Sequence, residues 1–376
     1  MSEYQYYEFR AIDHPLTEAQ KDKVAALSSR AQVTSHVASF VYNYGNFRGD
    51  PDQLLSDYFD AMLYMANWGS RQLMFRIPRA LIDMQHVGQY CVSEAIDRRI
   101  TKNKQYVIVD IDFHDEEQAD WTEGEGWLDD LVGLREELIH GDFRMLYLAW
   151  LKAAEDALAM EEIAADTLEP PVPDGLGQLS PALKTFVRFL DIDAAMVAVA
   201  TQNSRKQLAV PSQLDTWIAK LPEAEQHDFL VRLSRGEKNV SILLNRRLHQ
   251  LAAAAQPHTS DAEPGRRTIS ALMEAAERWR QQKKAREQRQ ATLAQQRKLE
   301  ALVLREPQVW AEVESLIAEK KATSYGRAVG LLQELRDLAH YRQDMESFRT
   351  RIAAMAYTYA NRSALLRRLQ DAQLIQ

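Results

Sequence analysis

A chain of 376 residues, 46% hydrophobic and 27% charged with a net charge of −8, has the composition of a soluble globular protein and room for two or three domains. Its single cysteine, Cys91, excludes an internal disulfide and any multi-cysteine zinc motif within one chain. It also fits a reducing compartment, so a cytoplasmic location is expected. Residues 143–160 are the longest apolar candidate, yet they include Arg144, Lys152, Glu155 and Asp156, so no membrane span is expected. The start MSEYQYYEFR lacks the basic-then-apolar plan of a secretory signal.

Residues 4–12 are aromatic-rich and predict a strand, closed by Asp13-His14-Pro15. Residues 16–30 predict a helix with Thr17 as cap and Val24 and Leu27 on one face. The β-branched and aromatic stretch 36–44 predicts another strand. Gly45-Asn46 and Gly49-Asp50-Pro51 then mark a loop, with Asp50 the N-cap of a second helix and Pro51 in its first turn. Leu54, Leu55, Tyr58, Phe59, Met62, Leu63 and Met65 fall at helical spacing, so this helix is expected to run on until Gly69 ends it. Alternating Leu73, Phe75 and Ile77 predict a strand over 71–77. A short helix over 78–88 and a hairpin of 91–100 with 105–113 follow. The alternation predicts a small N-terminal α/β layer domain with a mixed sheet.

Beyond residue 121 the strand signals stop. Residues 127–164 predict helix, interrupted near Gly141, and Pro170, Pro171, Pro173, Gly175 and Gly177 mark a linker or tight loop. Ser180-Pro181 opens another helix, and more are expected at 192–206, 212–220, 222–235 and 237–255. The polar, breaker-rich stretch 256–265 (QPHTSDAEPG) is the clearest linker and the expected site of first proteolytic cutting. From Arg266 onward the pattern is helical, with breaks expected at Pro307, 323–326 and Asn361. The fold class is therefore α+β. The expected domains are 1–120, a helical 121–255, and a basic helix with a C-terminal helical module over 266–376.

Charge divides along the chain. Residues 110–166 hold 18 carboxylates against 3 basic residues, whereas 266–305 hold 11 basic residues against 4 glutamates. Opposite charge on separate segments points to different partners, or to each other. Ile269, Leu272, Met273, Ala276 and Trp279 give the basic segment an apolar face, which vanishes over 280–292, where only Ala285 and Ala291 remain. A helix that is polar all round is not packed along its length. Arg278, Arg280, Lys283, Lys284, Arg286 and Arg289 are accordingly the candidate contacts to an acidic protein or to phosphates. Trp279 is the one aromatic near them, a poor supply for stacking single strands.

Chemistry-bearing patterns are sparse. Asp110, Asp112 and His114 alternate with Val109, Ile111 and Phe113, so one strand face could offer two carboxylates and an imidazole to a divalent metal. The same alternation describes an ordinary half-buried strand with a wet outer face, and no second cluster completes a metal sphere, so no tight metal binding is expected. The acidic run after Asp115 departs from calcium-loop spacing. Cys91 has no local base, and there is no G-x-S-x-G, P-loop or G-x-G-x-x-G.

YYEFRAID, FRGDP followed by YFDAMLYMANWGSRQLM, and EPPVPDGLGQLSPAL resemble a family of uncharacterised bacterial proteins over much of residues 4–200. That resemblance implies a bacterial cytoplasmic protein and no known activity. EVESLIAEKKATSYGRAVGLLQELRDLA, with NRSALLRRL later, is similar to the helical tail of bacterial SWIM-type zinc-finger proteins. The zinc motif of those proteins requires several cysteines, so the likeness implies a nucleic-acid-associated setting without zinc. The expected function is a non-enzymatic interaction or scaffold protein with a protein partner and no cofactor. The alternatives are a metal-dependent hydrolase or nuclease built on Asp110, Asp112 and His114, and direct nucleic-acid binding through 266–305.

Overall fold

A computed structural model describes residues 3–45, 47–115, 123–205, 214–237, 239–254 and 266–375. The expected linker 256–265 lies outside the described residues. Two compact units divide the chain, Met1–Arg280 and Gln281–Gln376. The division falls inside a helix, Ile269–Ala318, and not at an irregular segment.

The first unit is built on seven strands: β1 (Gln5–Arg10), β2 (Gln32–Val33), β3 (Val37–Tyr42), β4 (Ala61–Ala66), β5 (Ser70–Pro78), β6 (Ile96–Ile100) and β7 (Tyr106–His114). Their order is β2-β3-β1-β4-β5-β7-β6, and every pairing is antiparallel. The expected mixed sheet is thereby corrected. Parallel strands occur only as non-neighbours: α1 (Glu18–Ala25) carries the chain from β1 past β3 to β2, and α2 (Pro51–Tyr58) carries it from β3 past β1 to β4, so the intervening strand pairs antiparallel with both.

Local signals act as read for both helices. Thr17 and Gln20 form a reciprocal capping box on α1, and the Asp50 carboxylate accepts from the Gln53 N–H at the start of α2. The helix expected to continue toward Gly69 instead stops at Tyr58. Ala61–Ala66 is apolar at nearly every position, a pattern that satisfies either period. Pairing settles the matter: Tyr7 lies opposite Tyr64 on one side of the sheet order and Leu63 opposite Leu73 on the other, making β4 a central strand. Gly69, at φ +94°, turns the β4–β5 hairpin and ends no helix.

Both faces of the sheet are covered. On one, Phe9, Phe40, Met62, Met74 and Ile108 pack against Leu54, Leu55 and Phe59 of the α2 region and Val24 of α1. On the other, Leu63, Phe75, Ile77, Val109 and Ile111 join a larger core with the helices after residue 126. These are, after the four-residue α3 (Met84–Val87), α4 (Trp127–Leu131), α5 (Gly133–Ile139), α6 (Arg144–Ala159), α7 (Pro181–Phe189) and α8 (Ala194–Asn203). Gly141, at φ +85°, separates α5 from α6, and Ser180 caps α7 with Pro181 in its first turn. Ile269, Leu272 and Ala276 join the same core, so the sheet, α4–α8 and the residues up to Ala276 form one packed body. α9 (Leu214–Ile218), α10 (Glu223–Ser234) and α11 (Val240–Ala254) complete the unit.

The second unit is a helical assembly. α12 (Ile269–Ala318) enters it at Gln281, and α13 (Ala322–Tyr341), α14 (Met345–Thr358) and α15 (Ser363–Asp371) follow. Val313, Ile317, Ala328, Leu332, Ile352, Leu365 and Leu369 form its core. The break expected at Pro307 does not occur. That residue is exposed, so the carbonyl it leaves unbonded can face water, while Val309, Trp310 and Val313 hold the next turns in the core. The break expected at 323–326 falls earlier, at Lys320, whose φ of +56° ends the helix, and Ser324 and Gly326 lie inside α13. Asn361 does separate α14 from α15.

Candidate functional site

α12 changes character along its length. In the first unit Ile269, Leu272 and Ala276 are fully buried. From 281 to 298 every residue is exposed, a continuous 18 positions or about 27 Å of helix. Six of these are basic and one, Glu287, is acidic, a net charge of +5. Leu299 is the first buried residue beyond them and belongs to the second unit's core.

At about 100° per residue, Lys283, Lys284, Arg286, Arg289, Arg297 and Lys298 occupy an arc of about 220°. The remaining stripe, Gln281, Ala285, Gln288, Thr292 and Gln295, is neutral and runs in line with Leu299. Among the described residues, Lys284, Arg286, Arg289 and Arg297 make no ion pair, and Lys298 approaches Glu334 at 3.4 Å. Two of the six expected contact residues sit differently. Arg278 and Arg280 belong to the first unit, where Arg278 stands 4.0 Å from Glu274 and Arg280 is paired with Asp193 and Glu277. The hydrogen bonds it donates to those two carboxylates raise the Arg280 guanidinium pKa.

The division into units coincides with the division of charge. Met1–Arg280 carries 29 basic and 43 acidic residues, a net −14, whereas Gln281–Gln376 carries 17 and 11, a net +6. The cationic helix thus belongs to a basic body.

Asp110, Asp112 and His114 do share one face of β7, opposite the larger core. They do not converge. Gln72 donates to both oxygens of Asp110, at 2.9 and 3.1 Å, and Arg99 reaches its second oxygen at 2.9 Å. His114 Nδ1 lies 2.9 Å from Ser70 Oγ. Asp112 stands at the sheet surface, and its carboxyl is raised to about 6 by the surrounding protein and by the Asp110 charge. Among the described residues, no group of three or more His, Cys, Asp or Glu side chains is placed to hold a metal ion. Cys91 is half-buried. Burial raises its thiol pKa, and Arg98, 3.5 Å away, offsets part of that rise.

Two polar clusters escaped sequence reasoning. At the root of α12, Arg267 donates to both oxygens of Glu169 at 2.8 Å, and the Tyr147 hydroxyl donates to the same carboxylate. Near α2, buried Asp60 accepts from the Ile12 and Asp13 N–H groups at 2.7 and 2.9 Å and from Arg76 at 2.8 Å, with Arg135 at 3.7 Å. These partners are 16 to 98 residues apart, and no local spacing marks them. A third feature is an open groove of about 530 Å³ between α10 and α11, lined by Phe229, Leu243, Arg232, Arg246 and Arg247 among others. Its cations are engaged: Arg247 with Glu225, Arg232 with Glu237 and Arg246 with the Leu81 carbonyl. No helix among the described residues is long and apolar enough to cross a membrane.

Comparison with family models, with curated proteins and with solved structures finds no match to this chain.

Proposed function

We propose that this is a non-catalytic interaction protein, a scaffold in which the basic helical unit captures a polyanionic partner through residues 281–298. One observation carries this reading: 18 consecutive helical residues are exposed on all sides and bear a net +5. Helical stability in proteins comes mostly from burying an apolar face, and this stretch has none to bury. Lys284, Arg286, Arg289 and Arg297, which make no ion pair among the described residues, hold their charges out to solvent for a partner of opposite sign. Asp110, the central carboxylate of the alternative hydrolase site, is already engaged by Arg99 and Gln72, which favours a structural role for it.

The test is comparative affinity purification of the full chain, with and without Lys284→Glu, Arg286→Glu and Arg289→Glu. The wild type is expected to retain partners, protein or nucleic acid, that the variant releases while remaining folded by circular dichroism. A folded variant that retains every partner at wild-type levels refutes the reading.

A further inference from the structure

We infer that the partner of residues 281–298 is the phosphate backbone of duplex DNA, bound without regard to sequence. This inference rests on the scaffold reading and identifies the polyanion. Protein interfaces draw their energy from a desolvated core of aromatic and apolar anchors within a polar rim. The stretch 281–298 offers no aromatic and, beyond three alanines, one apolar side chain, Leu293. It has the rim chemistry without the core. A polyelectrolyte needs no such core, because the release of condensed counterions supplies the affinity.

The same composition separates duplex from single strand. Single-strand grooves combine cations with aromatic platforms on which bases stack, and no platform exists here. Shape then separates DNA from RNA. Every residue of the stretch is exposed, and among the described residues α13 comes beside it only at its far end, where Lys298 meets Glu334, so over 284–294 the helix keeps the usual width of about 10–12 Å. The B-form major groove, about 12 Å wide, admits such a helix, whereas the A-form major groove is too narrow. Lys284 and Arg289 lie about 140° apart, on either side of the neutral stripe through Ala285, Gln288 and Thr292. That placement lets the two cations reach opposite groove walls while the neutral stripe faces inward.

The test is fluorescence anisotropy of a labelled 30-base-pair DNA duplex titrated with the full chain at several salt concentrations. The four cations that make no ion pair among the described residues, Lys284, Arg286, Arg289 and Arg297, give a log–log slope of about −3.6, or about a 150-fold loss of affinity from 50 to 200 mM salt. Lys284→Gln, Arg286→Gln and Arg289→Gln together should reduce that slope by about 2.7, leaving only a loss of about 3- to 4-fold. Parallel titrations use duplex RNA, single-stranded DNA, polyglutamate and phosphatidylserine vesicles. Tighter binding of any of these than of duplex DNA overturns the inference. So does a wild-type slope that the triple variant leaves unchanged, or no DNA binding at 50 mM salt. If DNA fails while a protein partner is still captured after nuclease treatment and lost in the charge-reversed variant, the inference falls and the scaffold reading stands.

Discussion

Glu169 holds the root of the long helix to the first unit, and its removal has a magnitude that follows from its contacts. The side chain is 2% exposed and accepts two bonds from Arg267 and one from the Tyr147 hydroxyl. Around it, the Glu169 N–H donates to the Arg267 carbonyl at 2.8 Å, Arg266 donates back to the Glu169 carbonyl at 3.0 Å, and the Ile269 N–H reaches the Thr167 carbonyl at 2.9 Å. Breaking a buried ion pair from one side costs about 3–5 kcal/mol. Arg267 keeps 18% of its side chain in water and a 3.3 Å bond to the Val199 carbonyl, which moves its share toward about 3 kcal/mol. The stranded Tyr147 hydroxyl adds about 1 kcal/mol or more. Glu169→Ala is therefore expected to destabilise the first unit by about 3–5 kcal/mol. Glu169→Gln, which keeps an acceptor but loses the charge assistance of two bonds, should cost about 2 kcal/mol. Urea unfolding followed by near-ultraviolet circular dichroism reports on this site, because Trp150 stacks on Tyr147 with ring centroids 5.8 Å apart. A double-mutant cycle with Arg267→Ala isolates the pairwise part. A cost below about 1 kcal/mol for Glu169→Ala, or additivity in the cycle, would refute the clamp.

Four further outcomes are expected. Asp60→Ala, which leaves Arg76 and Arg135 without their shared carboxylate, should cost the first unit about 3–5 kcal/mol in denaturant unfolding, and a cost under about 1 kcal/mol would show the network to be dispensable. Burial alone would raise the Asp60 carboxyl pKa, but bonds from Arg76 and the Asp13 N–H hold it below its usual value. Its stabilisation is thus present above the unfolded carboxylate range and lost as pH falls through the lower folded value, so Asp60→Asn should weaken the acid dependence of melting. Asp112 has the opposite sign. With its folded pKa raised to about 6, ionisation opposes the fold and stability declines as pH rises from about 4 through 6. Asp112→Asn should therefore raise the melting temperature at pH 7.5 and leave it unchanged at pH 3.5, and equal shifts at both would contradict the assignment. Pro307→Ala restores a helical N–H in α12 and should stabilise the second unit by up to about 3 kcal/mol, whereas destabilisation would mean that the proline is structurally required.

Legibility tracked the range of the interaction that decides each element. Caps are local, and Thr17, Asp50 and Ser180 were readable because each side chain acts on the backbone N–H three residues ahead. The bare stretch of α12 was equally readable, since the loss of an apolar stripe after Trp279 is a property of consecutive residues. β4 was not. Its apolar run carries no period, and its identity comes from pairing with β1 and β5. The unit boundary escaped for the same reason: Ile269, Leu272 and Ala276 join a core whose other members come from earlier in the chain. In the candidate site, spacing placed Asp110, Asp112 and His114 on one face but could not show that Gln72 and Arg99 occupy Asp110. The helix cations could be picked out as a group from consecutive residues, while the engagement of Arg280 by Asp193, 87 residues away, lay beyond local reading.

The order of the sheet also decides how the protein behaves when crowded. An open antiparallel sheet has two rims, and a rim with free N–H and C=O groups invites a second molecule to add its own strand. Here one rim is β2, only two residues long, too brief a ladder to template another chain. The other is β6, whose middle three residues are Asp97, Arg98 and Arg99. Arg99 reaches Asp52, Asp97 and Asp110, so an incoming strand would have to displace a charged cluster. The most apolar strands, β4 and β7, sit inside the order, with a partner on each side. Concentrated solutions of the folded protein should accordingly resist strand-to-strand association at the β6 rim.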